Sequence, residues 1–299
     1  MQRRLVINAD DLGLTVGVND GIFDAHDRGV LTSASVFANA PATGDALARA
    51  LRRPSLGVGC HLTLVDGQPT LPSAHVPSLI EDDGRFPSSW KPFIVSCLLG
   101  RISLVEVERE LTAQIDRIRS AGLTLTHLDA HKHVHAYPPI FAIVTRLAER
   151  FRIPVVRVPF ERPTNLNGHG DAAQRRTARS QALMNVAMLP WAWRDYRIAA
   201  GAGIRTPHFI GRAHTGVLSA QALAAMVRAL PPGVTELMVH PGYVDEALTR
   251  LNTRLLGARA DEVSLLTQKN TFDLLISERI ALIRHDLSSA EYRSLSHAS

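Results

Sequence analysis

Two adjacent carboxylates, Asp10 and Asp11, follow the apolar run Leu5-Val-Ile and precede a glycine in Asn8-Ala-Asp-Asp-Leu-Gly13. Neighbouring residues on a regular strand point to opposite faces. A twisted strand end can bring both carboxylates to one cavity in different roles, whereas the plainer alternative has one of them capping the next helix. Imidazoles stand at three further places: His61 in Gly57-Val-Gly-Cys-His-Leu62, a cluster in Thr126-His-Leu-Asp-Ala-His-Lys-His-Val-His135, and His240 in Glu236-Leu-Met-Val-His-Pro-Gly242. Any one of these histidines alone would ordinarily be a hydrogen-bonded core residue. Together they place a carboxylate and imidazoles at four strand ends, the donor set of a hydrolytic or redox metal site. No GxGxxG, GxxxxGK[ST] or GxSxG motif is present, which removes the expected signatures of dinucleotide, nucleotide-triphosphate and serine-hydrolase chemistry and favours hydrolysis.

Within the cluster, His127, Asp129, His131, His133 and His135 recur at every second position, as on one face of an extended chain. Same-face residues are ~6.6 Å apart along a strand. The row therefore cannot converge on one ion at ~2.0–2.2 Å; one or two members can be ligands, and the rest are expected to orient them.

The elements that must position these residues alternate. Short β-branched runs at 5–9, 33–37, 57–64, 125–130, 155–158, 208–211, 236–240 and 280–283 read as strands. Between them, helical periodicity covers 16–28, 45–52, 105–121, 139–151, 220–230 and 263–277. The expected fold is α/β, a barrel of parallel strands with helices outside, carrying its site at the carboxyl ends of the strands. Proline and glycine interrupt the rhythm at 65–100 and 159–174, which read as long functional loops within one domain spanning 1–299. Residues 181–203 contain Leu189, Trp191, Trp193 and Tyr196 and read as a core helix, with a lipid or sugar platform as the alternative.

Composition narrows the class. The chain has 299 residues, 45% hydrophobic and 20% charged, enough to bury a sizeable core. No apolar run reaches the ~18–20 residues of a membrane helix; 92–100 is too short. The opening Met-Gln-Arg-Arg lacks the long apolar stretch of a secretory signal, so a cytoplasmic location is expected. Cys60 and Cys97 have no framework spacing and are expected to be reduced, buried thiols. The net charge of +5 is spread along the chain with few aromatics, which argues against nucleic-acid binding.

The four motifs, Asn8 to Gly13, Gly59-Cys-His-Leu62, His127 to His135 and His240-Pro-Gly242, resemble in order and spacing those of the YdjC-like (ChbG/HpnK) carbohydrate deacetylases. Leu12 stands where the usual motif has Phe, a change of packing and not of ligation. The resemblance implies a distorted (β/α) barrel of seven to eight mostly parallel strands. It also implies a divalent metal held by Asp11, His61 and His131, with Asp10 as general base. The family's metal is given as Mg²⁺, while two imidazoles suit Zn²⁺, Co²⁺ or Ni²⁺ better. For amine expulsion His240 is the expected acid and His133 the runner-up, with His127, Asp129, His133, His135 and Arg157 as supporting or substrate-contacting residues.

Ala130 to His133, Arg157-Val-Pro-Phe-Glu161 and the chain length are nearer the hopanoid-biosynthesis branch, which implies an N-acetylglucosaminyl glycolipid, with chito-oligosaccharide as the alternative. Peripheral membrane contact through such a substrate and a homodimer are further expectations. Two other classes remain: a metal-dependent sugar isomerase and a non-catalytic sugar-binding barrel.

Overall fold

The computed structural model describes residues 2–161, 176, 180, 181, 183, 189–251 and 253–285. All eight strand positions read from the sequence are strands: β1 (Arg3–Leu12), β2 (Ser33–Val36), β3 (Gly57–Leu62), β4 (His127–Ala130), β5 (Val155–Val156), β6 (His208–Ile210), β7 (Gly233–Val239) and β8 (Ala281–Leu282). They form one parallel sheet in the order β5-β4-β3-β2-β1-β7-β6, with β8 paired to Arg4 and Leu5 of β1. The outer edges approach one another through an isolated parallel bridge from Val155 to Arg205, just before β6. The result is a distorted α/β barrel with helices around it.

Those helices are α1 (Val16–Asp27), α2 (Thr43–Ala50), α3 (Trp90–Leu98), α4 (Leu104–Ser120), α5 (Pro138–Phe151), α6 (Leu189–Gly201), α7 (Ala220–Arg228), α8 (Glu246–Thr249), α9 (Gly257–Thr267) and α10 (Lys269–Ser277). Their starts follow local chemistry. Thr15 and Ser103 accept the orphan amides of Val18 and Glu106 at the heads of α1 and α4, and Pro138 opens α5, where no intrahelical donor is lost.

The sheet's two faces differ in kind. Leu5, Ile7 and Ala9 of β1, Ala34 and Val36 of β2, Val58 and Cys60 of β3, Leu128 of β4 and Leu237 and Val239 of β7 join the main apolar core with the helices. The alternate residues Asn8, Asp10, Ser35, His61, Asp129 and Glu236 are all buried and meet one another, directly or through Arg157, in the lumen. Branched aliphatic layers usually fill such a barrel. Here polar residues do, so the chemistry expected only at the strand ends continues into the interior.

Several expectations need correction. The 65–100 segment is not loop throughout but contains α3, a helix too short to cross a membrane, which buries Phe93 and Ile94 on one side. The helix expected over 263–277 is two, α9 and α10, divided at Gln268, whose ψ of 144° is extended. Cys97 is only half-buried, although both cysteines are free thiols as expected. Of the loop expected at 159–174, positions from 162 onward lie outside the described residues. No helix among the described residues is long and apolar enough to cross a membrane.

Candidate active site

Asp10 and Asp11 are separated by backbone, not by twist alone. The pairing of β1 with β2 shifts register between Ala9 and Leu12, and Asp11 adopts φ 70°, the left-handed region. A bulge of this kind re-aims a side chain at the cost of local strain. Asp10 keeps the lumen direction of Asn8, whereas Asp11 turns toward the strand-end histidines.

Asp11, His61 and His131 present one donor atom each, all within 4.8 Å of one another. Asp11 Oδ1 lies 3.6 Å from His61 Nε2 and 3.4 Å from His131 Nδ1. His61 Nδ1 lies 2.8 Å from Asp129 Oδ1, and a carboxylate can only accept, so Nδ1 donates and Nε2 is the nitrogen turned toward Asp11. Phe37 packs edge-on against both rings, at 4.8 Å from His61 and 5.2 Å from His131. Burial acts to raise the Asp11 pKa, but the Arg259 guanidinium, 2.6 Å from Oδ2, and His131 outweigh it and hold the carboxyl well below its usual range. Burial likewise acts to lower His131; Asp11 and Asp66 overcome it and raise its pKa.

Asp66 is the contact the sequence did not point to. Its Oδ2 lies 3.5 Å from His131 Nε2 and 2.7 Å from Lys132 Nζ. Those contacts hold it at about 2, against a smaller upward push from burial. The loop carrying it is anchored by α4: Gln114 exchanges two hydrogen bonds with the Thr63 backbone, and Glu110 accepts the amides of Thr70 and Leu71.

Below this triad, Arg157 gathers three carboxylates. Its two terminal nitrogens each donate to one Asp10 oxygen at 2.7 Å, its Nε donates to Glu236 Oε1 at 2.7 Å, and Nη2 is 2.8 Å from Asp129 Oδ2. Asn8 and Ser35 complete the network on Asp10 and Asp129. Burial opposes every charge here. It is outweighed at Asp129, where Arg157 and His61 hold the carboxyl well below its usual range. At Glu236 burial prevails and the pKa is pushed up to about 7.

The row His127 to His135 is not one extended face. β4 ends at Ala130, and Lys132 and His133 take positive φ in a 3₁₀ turn over 131–136, which scatters the side chains. Of the five, Asp129 and His131 reach the triad. His127 lies in the lumen, bonded to Thr126 and packed at 4.3 Å against His285; burial lowers its pKa to about 4. It also accounts for Gly59, since a Cβ there would stand 2.3 Å from His127 Nε2. His133 packs edge-on against Phe209, and burial with Arg212 and Arg157 drives its pKa well down. His135 Nε2 donates to the Arg157 carbonyl at 2.9 Å, bracing that arginine's backbone.

His240 closes the site from β7. Its amide donates to Glu262, and burial lowers its imidazole to about 4 despite the pull of Asp11 and Asp10. The following turn is pressed against α1, where a Cβ on Gly21 would stand 2.4 Å from Gly242 Cα. Asp66, Arg259 and Glu262 belong to no motif in the sequence; only the folded chain reveals them.

One carboxylate and two imidazoles, one of them oriented from behind by a second carboxylate, suit a divalent cation, and the residues present fit that group. Fold and site together define an α/β barrel with an Asp-His-His centre beside an Arg-tethered carboxylate. The chain belongs to the YdjC-like protein family, whose profile matches residues 4–277. It is 34% identical over 286 residues to the carbohydrate deacetylase of Geobacillus stearothermophilus, covering 95% of this chain and 98% of that protein. The carbohydrate deacetylase of Brevibacillus brevis is 35% identical over 281 residues, covering 94% and 97%. A crystal structure from Enterococcus faecalis V583, assigned provisionally to cellobiose-phosphate cleavage, superposes with a TM-score of 0.74 at 26% identity, covering 99% of each chain.

Proposed function

We propose that this chain is a metal-dependent carbohydrate deacetylase that hydrolyses the N-acetyl amide of an amino sugar, using one divalent cation at Asp11, His61 and His131. The observation that carries this reading is the split of neighbouring carboxylates: Asp11 faces two imidazoles while Asp10 is held apart by Arg157. Family membership and the names of its relatives support it. A divalent cation bound there supplies Lewis acidity, lowering the pKa of water and polarising the amide carbonyl.

The chain's own residues carry the protons. Asp10 accepts the proton of the attacking water through Oδ2, which keeps a free lone pair beyond its bond to Arg157, whereas Oδ1 accepts from both Arg157 and Asn8. His240 serves amine expulsion. With a pKa near 4 it is neutral around pH 7, so it acquires its proton during the reaction and does not carry one in advance. His133 is turned toward Phe209, which favours His240 as the acid. Glu236 lies against Arg157 and not with the triad, unlike the acidic ligand sets of sugar isomerases.

The substrate proposed is an N-acetylglucosaminyl group on an apolar aglycone. Leu189 and Trp193 of α6 support this: they are exposed, while Trp191 of the same helix packs at 5.4 Å on Tyr137 beside the His131 turn. Burying ~100 Å² of apolar tail at ~25 cal/mol per Å² is worth about 2.5 kcal/mol, nearly two decades in kcat/KM. Acetate release from an N-acetylglucosaminyl lipid and from N,N′-diacetylchitobiose tests the proposal. The lipid is expected to be the better substrate by roughly tenfold or more, allowing for incomplete burial. Faster turnover of chitobiose would assign the soluble oligosaccharide, and release from neither would leave a binding protein or an isomerase.

A further inference from the structure

Arg259 lies in the first turn of α9, is 1% exposed, and its side chain bonds in three directions. Nη2 donates to Asp11 Oδ2 at 2.6 Å, Nη1 to the His240 carbonyl at 3.4 Å and Nε to the Leu255 carbonyl at 3.0 Å. The bond to Leu255 ties the side chain to the start of its own helix and aims the two terminal nitrogens inward. The backbone of α9 adds two more contacts to the 240–242 turn. The Arg259 carbonyl accepts the Gly242 amide at 3.2 Å, and Glu262 accepts the amide of His240. Gly242 also lies against the arginine stem, where a Cβ would stand 3.2 Å from Arg259 Cδ.

The two groups that Arg259 joins both need holding from outside. Asp11 sits at a register shift with φ 70°, a conformation that persists only where the surroundings over-determine it. His240 follows the last residue of β7 and precedes Pro241, which has no amide to donate, so the turn is secured through the amides of His240 and Gly242, and α9 takes both. Arg259 also decides what Asp11 can offer. Oδ1 faces His61 Nε2 and His131 Nδ1 at 3.6 and 3.4 Å, whereas Oδ2 is committed to the guanidinium.

We propose that Arg259 is a positioning residue that sets His240 relative to the cation: one nitrogen restricts Asp11 to a single ligating oxygen, and the other holds the His240 turn. The inference rests on the deacetylase reading. A planar guanidinium fork can span two acceptors at fixed geometry, while an ammonium is a point charge on a flexible stem. Lysine would therefore serve if the cation only neutralised Asp11, and would not serve if the fork sets a distance.

Arg259→Lys separates the two roles. It is to be made alone and in a His240→Ala background, loaded with Co²⁺, and assayed for metal content, visible absorption and acetate release from the N-acetylglucosaminyl lipid or N,N′-diacetylchitobiose, whichever reacts faster. The lysine variant is expected to keep a full equivalent of Co²⁺ and the wild-type circular dichroism spectrum. Its d–d absorption should weaken, because Oδ2 becomes available to the cation and raises the coordination number. kcat should fall roughly 10²-fold at little change in KM, the cost of a displacement on the order of 1 Å. In the His240→Ala background the same substitution should cost no more than about threefold, since residues acting through one another are not additive. Arg259→Met, which also frees Oδ2, reports the same spectral change where the lysine variant does not fold. A lysine variant with wild-type spectrum and turnover would reduce Arg259 to a neutralising charge, and an equal loss with and without His240 would sever its link to the acid. A wild-type chain that binds no Co²⁺ would overturn the deacetylase reading itself, and this proposal with it.

Discussion

Replacing Arg157 by Met keeps most of the side-chain volume and removes the cation that, among the described residues, bonds Asp10, Asp129 and Glu236 together. Breaking a buried ion pair from one side typically costs about 3–5 kcal/mol. The same figure follows from proton uptake. With the guanidinium gone, at least one buried carboxylate must be protonated in the folded state; at pH 7, about three units above the unfolded value, that costs about 4 kcal/mol. The sign reverses between the two proteins. In the wild type Asp129 is depressed, so its contribution is present above an unfolded value of about 3.9 and is lost only as pH falls through the lower folded value.

In the variant the folded pKa lies above the unfolded one, and each pH unit above about 4 removes about 1.4 kcal/mol. With roughly 2.1 cal/mol/K of unfolding entropy per residue, the midpoint should drop by about 6 °C at pH 7 and only about 2 °C at pH 5. Thermal melts of both proteins at the two pH values measure this. An equal deficit at both would show that lost packing dominates, and no deficit would mean that Arg157 does not hold these carboxylates.

Other outcomes follow from the same geometry. His61→Ala and His131→Ala should each lose the bound cation and turnover together; a double variant retaining a full equivalent of metal by elemental analysis would remove both as ligands. Asp10→Asn should keep the metal and lose roughly 10²- to 10⁴-fold in rate, whereas equal loss of metal would make Asp10 a ligand. Glu236, pushed up to about 7 by burial, retains a proton that the unfolded chain sheds above about 4.4, so it costs stability as pH rises toward 7. Glu236→Gln should therefore remove that falling contribution, so that the midpoint of the variant relative to wild type rises between pH 5 and 7, and a difference that stays constant with pH would place the titration elsewhere.

Strand positions were legible because each parallel strand, covered by helices on its outer face, is a compact β-branched run between turn residues. Their alternation also held the polar lumen, but Asn8 and Asp10, or His127 and Asp129, read as local motifs until the sheet wraps them toward one another. Strand ends pointed to the region of the triad, and the resemblance to the family named its three members. Of its supports, Asp129 was legible in the His127 to His135 motif, but two were not: Arg259 reaches Asp11 across 248 residues, and Asp66 reaches His131 from a loop fixed by α4. Periodicity also misled at the histidine row, where alternate spacing suggested an extended face. Lys132 and His133 instead enter the left-handed region and fold the chain into a turn. Sequence spacing records which side chains could share a face, not where the strand stops.

Arg157 also constrains the order of assembly. Its partners lie 147 residues before it and 79 after it along the chain. Contacts over such separations form late, because the entropy of closing long loops must be overcome before they contribute. A guanidinium resists leaving water until its partners arrive. The lumen is therefore expected to dry late in assembly, once β7 has brought Glu236 to the Arg157 guanidinium.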